Sequence, residues 1–426
     1  MKKLLVMLMI LTLAVGMIAC SNDKAEENSP TEVTILGTIK SEIGEEFEAA
    51  LDIYNASQSD YLVKVVPMDG QNAFEKMTSL YASNNAPTIM VMGQEMADFK
   101  DKLLDVSQAE FSKLAYAGTQ DNATHDGRVL GMPVTVEGFG LLYNKAVLDE
   151  AVGGDFDPAT IKTRDDLENL FKQIESIGKK AIHLSPMDWS LGAHLSNKMF
   201  TTQSETHEGR VAFLEGVKDG SVDLASDTGF NNWVDTFDLL MKYNSNIESP
   251  LSADYDQGSV ALGSGEVGFW FMGNWAYGPL VGVDPEGTFG IMPVPVSNEV
   301  DAYGNSQISV GVPMYFVIDQ EQSSAEEQAG AINFLNWIVT SNEGQDYYVN
   351  KMNFIPVFDE FNQEPSDFMS KTIMEYTAAG QTLEWVNMLY PADAWPAMGA
   401  SMQKYLDSKI DRQGLAEEFM AYWTEQ

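Results

Sequence analysis

From Val33 onward the chain alternates short apolar runs with helical patterns, and that alternation leaves few folds open. Val33–Leu36 reads as a strand. Ser41–Ser57 carries Phe47, Leu51 and Tyr54 at helical spacing, with Ser41 placed to cap it. Tyr61–Val66 is a second strand, and Asn72–Ser83 is a helix with Phe74, Met77, Leu80 and Tyr81. Thr88–Met92 is a third strand, preceded by Pro87 and stopped by Gly93. Strands separated by helices pair in parallel, with the helices packed on the sheet faces. In such sheets ligands settle outside the carboxyl ends of the strands.

The same grammar continues. Gly131–Asn144 is a run of short strands broken by glycines and reads as a crossing between two lobes. Thr163–Ile177 is a helix with Leu167, Leu170, Phe171 and Ile174 on one face, and Ala181–Leu184 is a strand in which His183 is a core residue. Trp189–Phe200, Arg210–Lys218 and Gly229–Met241 read as helices. Gly265–Leu280, GEVGFWFMGNWAYGPL, holds a buried strand at Glu266–Phe271, a break at Gly273 and a candidate N-cap at Asn274 for a short helix bearing Trp275 and Tyr277. These residues alone fit a core role for Trp270, Phe271 and Trp275 as well as a ligand platform. Phe289–Val296 is a strand that loses its partner at Pro293 and Pro295; Ser309–Ile318 is a strand pair; Ala325–Val339 is a helix. Beyond Asn342–Asn350 the pattern is helical, apart from loops at Ile355–Pro365 and Pro391–Pro396.

Charge narrows the partners. With 63 acids against 25 Lys and Arg, the net charge is −38, which excludes nucleic acid and electrostatic docking on anionic lipid. A single cysteine forbids an internal disulfide, and the four histidines show no metal-ligand spacing. At 426 residues and 44% apolar, the chain is long enough for two or three domains with real cores.

Lys2 and Lys3 precede the apolar run Leu4–Ile18, which ends in Ala19–Cys20. The run is short for a spanning helix and suits a signal peptide over residues 1–19. Met17–Cys20 resembles a bacterial lipobox, with Met17 where Leu is usual; the resemblance implies that Cys20 becomes the lipidated first residue. An ordinary secretory signal with an incidental cysteine is the other reading. Residues 20–31, polar and without periodicity, read as a tether.

Several blocks stand in one order: IYNASQSDYLVKVV, MTSLYASNNAPTIMVM, GRVLGMPVTVEGFGLLYNKAVLDEA, GEVGFWFMGNWAYGPL, FGIMPVPV and AGAINFLNWIVTSNEGQDYYV. In that order they resemble the extracellular solute-binding proteins of bacterial ABC importers, in particular the sugar-binding group that includes the maltodextrin-binding proteins. The resemblance implies an α/β, two-lobed periplasmic-binding-protein-like fold of class II type, each lobe a mainly parallel sheet flanked by helices, with solute held between them. It places residues 31–136 plus 296–344 in the N-terminal lobe and 137–295 plus 345–426 in the C-terminal lobe.

Site residues carry over one at a time. Glu137 matches a position that hydrogen-bonds sugar hydroxyls, although a solvated hinge acid fits it too. Gln94 and Glu95 follow the third strand, where the family places a polar or aromatic pair; Lys40 and Thr38 follow the first strand in the same way. Asp188 and Trp189 match an aromatic binding position. Trp275 matches a stacking tryptophan, preceded by Asn274 where the family usually has Pro. Trp395 matches another stacking position, with Asp393 beside it. Aromatic faces suit the C–H face of a pyranose, and carboxylates and amides suit its hydroxyl rim.

The expected function is capture of a carbohydrate by a lipid-anchored, extracytoplasmic, monomeric receptor that delivers it to ABC permease subunits, without cofactor, metal or catalysis. A binding protein of the same architecture for a polyamine or peptide is the main alternative. A secreted glycoside-active enzyme is the other; acids are too plentiful here for any pair to signal it, and GxSxG and P-loop patterns are absent.

Overall fold

The structure, a computed structural model, describes residues 29–37, 40, 43–68 and 73–426. Residues 1–19, expected to be a signal peptide, Cys20 and Thr38 lie outside these residues, as does Ser41; the first helix spans Gly44–Ser57 with Ile43 at its N-cap position and no side-chain cap.

Two sheets organise the chain. The first has the order Tyr61–Val66, Thr31–Leu36, Ile89–Met92, Tyr315–Ile318, Gly131–Pro133. Its first three strands are parallel, as the alternating pattern requires, and Tyr315–Ile318 runs against both of its neighbours. The second sheet is built on Glu137–Asn144, all eight residues of which are buried. One edge pairs with Val267–Gly273, which pairs in turn with Lys180–His183. The other edge takes Ile308–Gly311 near its start and Phe289–Met292 near its end, and Thr382–Leu383 extends Ile308–Gly311. Three of these five pairings are antiparallel, so this sheet is mixed rather than mainly parallel. The cause is entry direction: Glu137–Asn144 arrives straight from the other lobe, whereas a parallel partner needs a local helical return.

The first crossing is Val134–Val136, between Gly131–Pro133 of one sheet and Glu137–Asn144 of the other. Ser309–Ile318 is not a hairpin. Its halves belong to different sheets, and Val312–Met314 is a second crossing. The lobe boundaries expected at 296 and 345 therefore move. Val294 packs in the second lobe and Ile308 pairs there, whereas Tyr348, Val349, Met352 and Phe358 pack in the core of the first. Pro293 and Pro295 end a strand's pairing without sending the chain to the other lobe. The third passage follows Phe361, and Met369 and Ile373 pack in the second lobe. Thr135 and Ile355 clasp at the hinge: the Ile355 N–H donates to Thr135 Oγ1 at 3.0 Å, and Val136 bridges Ile355.

Helix boundaries follow their caps. Arg164–Ser176 opens on a reciprocal capping box between Thr163 and Asp166 and buries Leu167, Leu170, Phe171 and Ile174. Ala325–Thr340 opens the same way on Ser324 and Glu327. The final helix, Arg412–Trp423, is pinned by Arg412 between Asp235 and Asp238 at 2.6 and 2.8 Å and buries Trp423 completely.

Lys198, on the helix Ser196–Thr201, is 3% exposed and donates to the Gly304 carbonyl at 2.9 Å. One neutral acceptor does not offset loss of water around an ammonium, so burial pushes its pKa down to about 7. The unfolded chain holds that proton to about pH 10.4. Between these values the unfolded state binds more protons, so stability should rise with pH from about 7 towards 10. Lys198→Met should flatten that rise, because the group that titrates differently in the folded and unfolded states is gone. Thermal denaturation of both proteins between pH 6 and 10 checks this.

Candidate ligand cleft

A cleft of about 1160 Å³ lies between the lobes, slightly beyond the ~300–1,000 Å³ typical of small-molecule sites. The first lobe supplies Lys40, Gln94 and Glu95, which follow the ends of its strands, together with Phe74 and Met314. The second supplies Glu137, Asp188, Trp189, Trp275, Asp393 and Trp395. Asn274 does not line this cleft. It lines a smaller cavity of about 100 Å³ that shares Lys40, Glu137 and Trp275.

Trp275 follows from the strand before it. Val267–Gly273 is buried along its whole length. A Cβ on Gly273 would lie 2.0 Å from Cζ3 of Trp275, so only glycine lets the indole fold back over the strand end. Asn274 is not a helix cap: its Oδ1 accepts the Gly138 N–H at 2.9 Å and ties the turn to the neighbouring strand. Trp270 and Phe271 are core, and the Trp270 N–H donates to Ser185 Oγ at 3.0 Å. Trp275 is only half-buried and faces the cleft.

Asp188 accepts from the N–H of Trp189, the first residue of the π-helical turn Trp189–Leu195. Such wide turns recur at functional sites. A Cβ on Gly192 would stand 2.2 Å from the Trp395 carbonyl oxygen and 2.4 Å from the Gly399 nitrogen. The missing side chain lets this turn press onto the helix Ala394–Leu406, whose Gly399 lies against Asp188, and brings Trp395 into the cleft that Asp188 and Trp189 also line. Asp393 accepts from the Tyr422 hydroxyl at 2.7 Å, and Trp395 Nε1 donates to the Asn387 carbonyl at 3.4 Å.

Glu137 is 4% exposed and is ion-paired with Lys40 of the opposite lobe. It is a buried, partnered carboxylate and not a solvated hinge acid. The same ammonium stands 5.0 Å from the centre of the Trp275 ring. Gln94 also reaches across, donating to the Pro391 carbonyl at 3.4 Å. Burial raises the pKa of Glu95 and Asp98 adds to the rise, against opposing backbone hydrogen bonds.

Sequence reasoning missed part of the aromatic wall. Trp189 and Trp275 lie 6.1 Å apart, ring centre to ring centre, and Tyr255 lies 6.3 Å from Trp189. His194 lies 5.1 Å from Trp275 and 5.5 Å from Trp385. Trp385 sits in the short stretch after Thr382–Leu383 with no motif to mark it, and Tyr255 begins the helix Tyr255–Gly263 without a break to announce it. Counting Glu75 and Asp256, six carboxylates and one lysine line the cleft, a balance that opposes anionic solutes. Among the described residues no group of His, Cys, Asp and Glu is placed to hold a metal ion, and no helix is long and apolar enough to cross a membrane.

Two α/β lobes joined by three passages around a wide cleft define the class of two-lobed solute receptors. Residues 49–379 match the family model of the bacterial extracellular solute-binding proteins, and the chain belongs to that family. The maltodextrin-binding protein MdxE of Bacillus subtilis (strain 168) is 27% identical over 161 residues, which is 37% of this chain and 36% of that protein. The match thus spans about a third of that curated relative. Among solved structures, the solute-binding protein RafE in complex with raffinose superposes with a TM-score of 0.79 at 18% identity, covering 93% of this chain and 99% of that one. A sugar transporter from Bacillus licheniformis in complex with stachyose gives 0.74 at 15% identity, covering 93% and 100%. At these identities the likeness shows a shared fold.

Proposed function

We propose that this chain is an extracytoplasmic receptor that captures a neutral oligosaccharide between its lobes and delivers it to the membrane subunits of an ABC importer. The observation that carries the reading is the side-by-side placement of aromatic faces (Trp189, Trp275 and Trp395) and acceptor side chains (Glu137, Asp188 and Asp393) in one cleft. A pyranose stacks its C–H face on the first and directs its hydroxyls to the second. The raffinose- and stachyose-bound neighbours and the maltodextrin-binding relative support the same reading. The protein acts as a monomer and performs no catalysis, and the proposed binding residues are those named at the sequence level, with Asn274 in support behind Trp275.

Anchoring through Cys20 is part of the proposal. Diacylglycerol on its sulfur and an acyl chain on its nitrogen meet the need for more than one chain. Cys20→Ser should release the protein from the cell membrane; a variant retained like the wild type would remove the anchor.

Cation capture is the second reading, favoured by the six carboxylates of the cleft. A thermal-shift series with raffinose, stachyose, maltotriose, chitotriose and spermidine separates the two. A ligand that binds only the folded state stabilises by about 2.7 kcal/mol at a hundred times its dissociation constant. A rise with one of the sugars, and none with spermidine, is the expected result. A rise with spermidine alone would replace the carbohydrate by a polyamine.

A further inference from the structure

We infer that His194 reads a ligand hydroxyl at the floor of the cleft and is a specificity-determining residue of the binding site. This rests on the carbohydrate reading and adds to it a residue that neither the strand-end rule nor the family resemblance selected.

The ring is gripped by aromatic neighbours on several sides. It lies over Phe139 at 4.5 Å with the planes 19° apart, and Trp275, Trp189 and Trp385 stand 5.1, 5.5 and 5.5 Å from it. It is 7% exposed, and that remainder opens on the cleft. Among the described residues neither ring nitrogen has a hydrogen-bond partner. Neither nitrogen is among the fully buried unpartnered side-chain atoms, so the ring presents a polar edge to the cleft where phenylalanine would present none. That edge is open to a solute that enters the cleft.

The box also decides what that something is. Burial pushes the pKa of His194 down to about 3, and the charge of Lys40 adds in the same direction, so the ring is neutral at physiological pH. A neutral imidazole has one donor and one acceptor nitrogen. A hydroxyl, itself donor and acceptor, suits whichever nitrogen faces the cleft. The cleft carboxylates, by contrast, only accept when ionised. The aromatic grip fixes the direction of the bond before any ligand arrives, which is the condition under which a polar contact discriminates sharply. A deoxy sugar at that position would leave the nitrogen buried and unsatisfied.

The test uses the full chain, with raffinose, stachyose, maltotriose and chitotriose as calorimetric probes against wild type, His194→Phe and His194→Gln. For a sugar that binds the wild type, His194→Phe should keep or raise the melting temperature of the empty protein. It should weaken binding by about ten-fold or more, the usual weight of one lost hydrogen bond in a desolvated site. His194→Gln, which keeps a donor and an acceptor, should recover part of that loss. The His194 nitrogen signals of ¹⁵N-histidine-labelled wild type should shift at saturation. Equal affinity of His194→Phe and wild type, or nitrogen signals that ignore bound sugar, would overturn the inference and leave the carbohydrate reading standing. A wild type that binds none of the four sugars would overturn both. Should His194→Phe not fold, His194→Gln and the nitrogen signals decide.

Discussion

Trp275→Ala should cost sugar affinity far more than it costs stability. The indole is half-buried at the turn after Val267–Gly273, with one side packed on Trp189 and His194 and the cleft in front of it. A fully buried tryptophan cut to alanine loses about 3–5 kcal/mol of stability. Trp270, 0% exposed and hydrogen-bonded to Ser185, is the residue that should pay in that way. Trp275 has water on part of its surface already, so its truncation should cost the empty protein about half as much on the same scale. Binding is different, because an aromatic anchor in a desolvated cleft carries 2 kcal/mol or more, roughly thirty-fold in dissociation constant. Trp395→Ala and Trp189→Ala should follow in the same direction. The measurements are the melting temperature of the empty protein and the dissociation constant for the sugar found in the thermal-shift series. A large fall in melting temperature with affinity intact in the folded fraction would return Trp275 to the core.

Lys40→Met should destabilise the ligand-free protein strongly and open it. Glu137 is 4% exposed, and Lys40 is its ion-pair partner from across the cleft. Removing one member of a buried pair leaves an uncompensated charge at a cost of about 3–5 kcal/mol. This pair has an escape that a pair within one core lacks, since parting of the lobes returns Glu137 to water. Part of the cost should therefore appear as a larger radius of gyration by small-angle scattering, and the rest as a lower melting temperature. Lys40→Met combined with Glu137→Leu should recover most of the stability, because replacing both members of a buried pair by apolar residues is often neutral or better. In the wild type, saturating sugar should shrink the radius, with a shift limited by the sugar's differential affinity for the closed form. A single variant as stable and as compact as the wild type would show that the pair carries no weight.

Much of this was legible in the sequence because glycine and proline punctuate it. The strands at 61–66 and 89–92 stop at Pro67 and Gly93, and side chains just past strand ends fall at a cleft by geometry. That is why Lys40, Gln94, Glu95 and Trp275 could be placed without coordinates, whereas Trp395, at the start of the helix Ala394–Leu406, rested on the family resemblance. The lobe boundaries were harder, because Pro293 and Pro295 look like an exit and are only the end of a strand's pairing. Asn274 looked like a cap because its type is right, but its acceptor was taken by Gly138 from a strand more than a hundred residues earlier. His194 and Trp385 were invisible for a related reason. What makes them cleft residues is the company of Phe139, Trp189 and Trp275, assembled from four separate stretches of chain.

The close contact at Gly192 has a kinetic consequence. It welds the turn bearing Trp189 and His194 to the helix bearing Trp395, so the spacing of these rings is set before a solute arrives. These rings, together with Trp275 and Trp385, all belong to the second lobe. On the proposed reading, an arriving sugar should therefore dock on that lobe alone at the pace of diffusion and orientation, and the first lobe should contribute afterwards through Gln94, Glu95 and Met314. Capture and retention should thus fall to different halves of the molecule, and substitutions in the first lobe's wall should lengthen or shorten the bound lifetime while leaving the rate of arrival nearly alone.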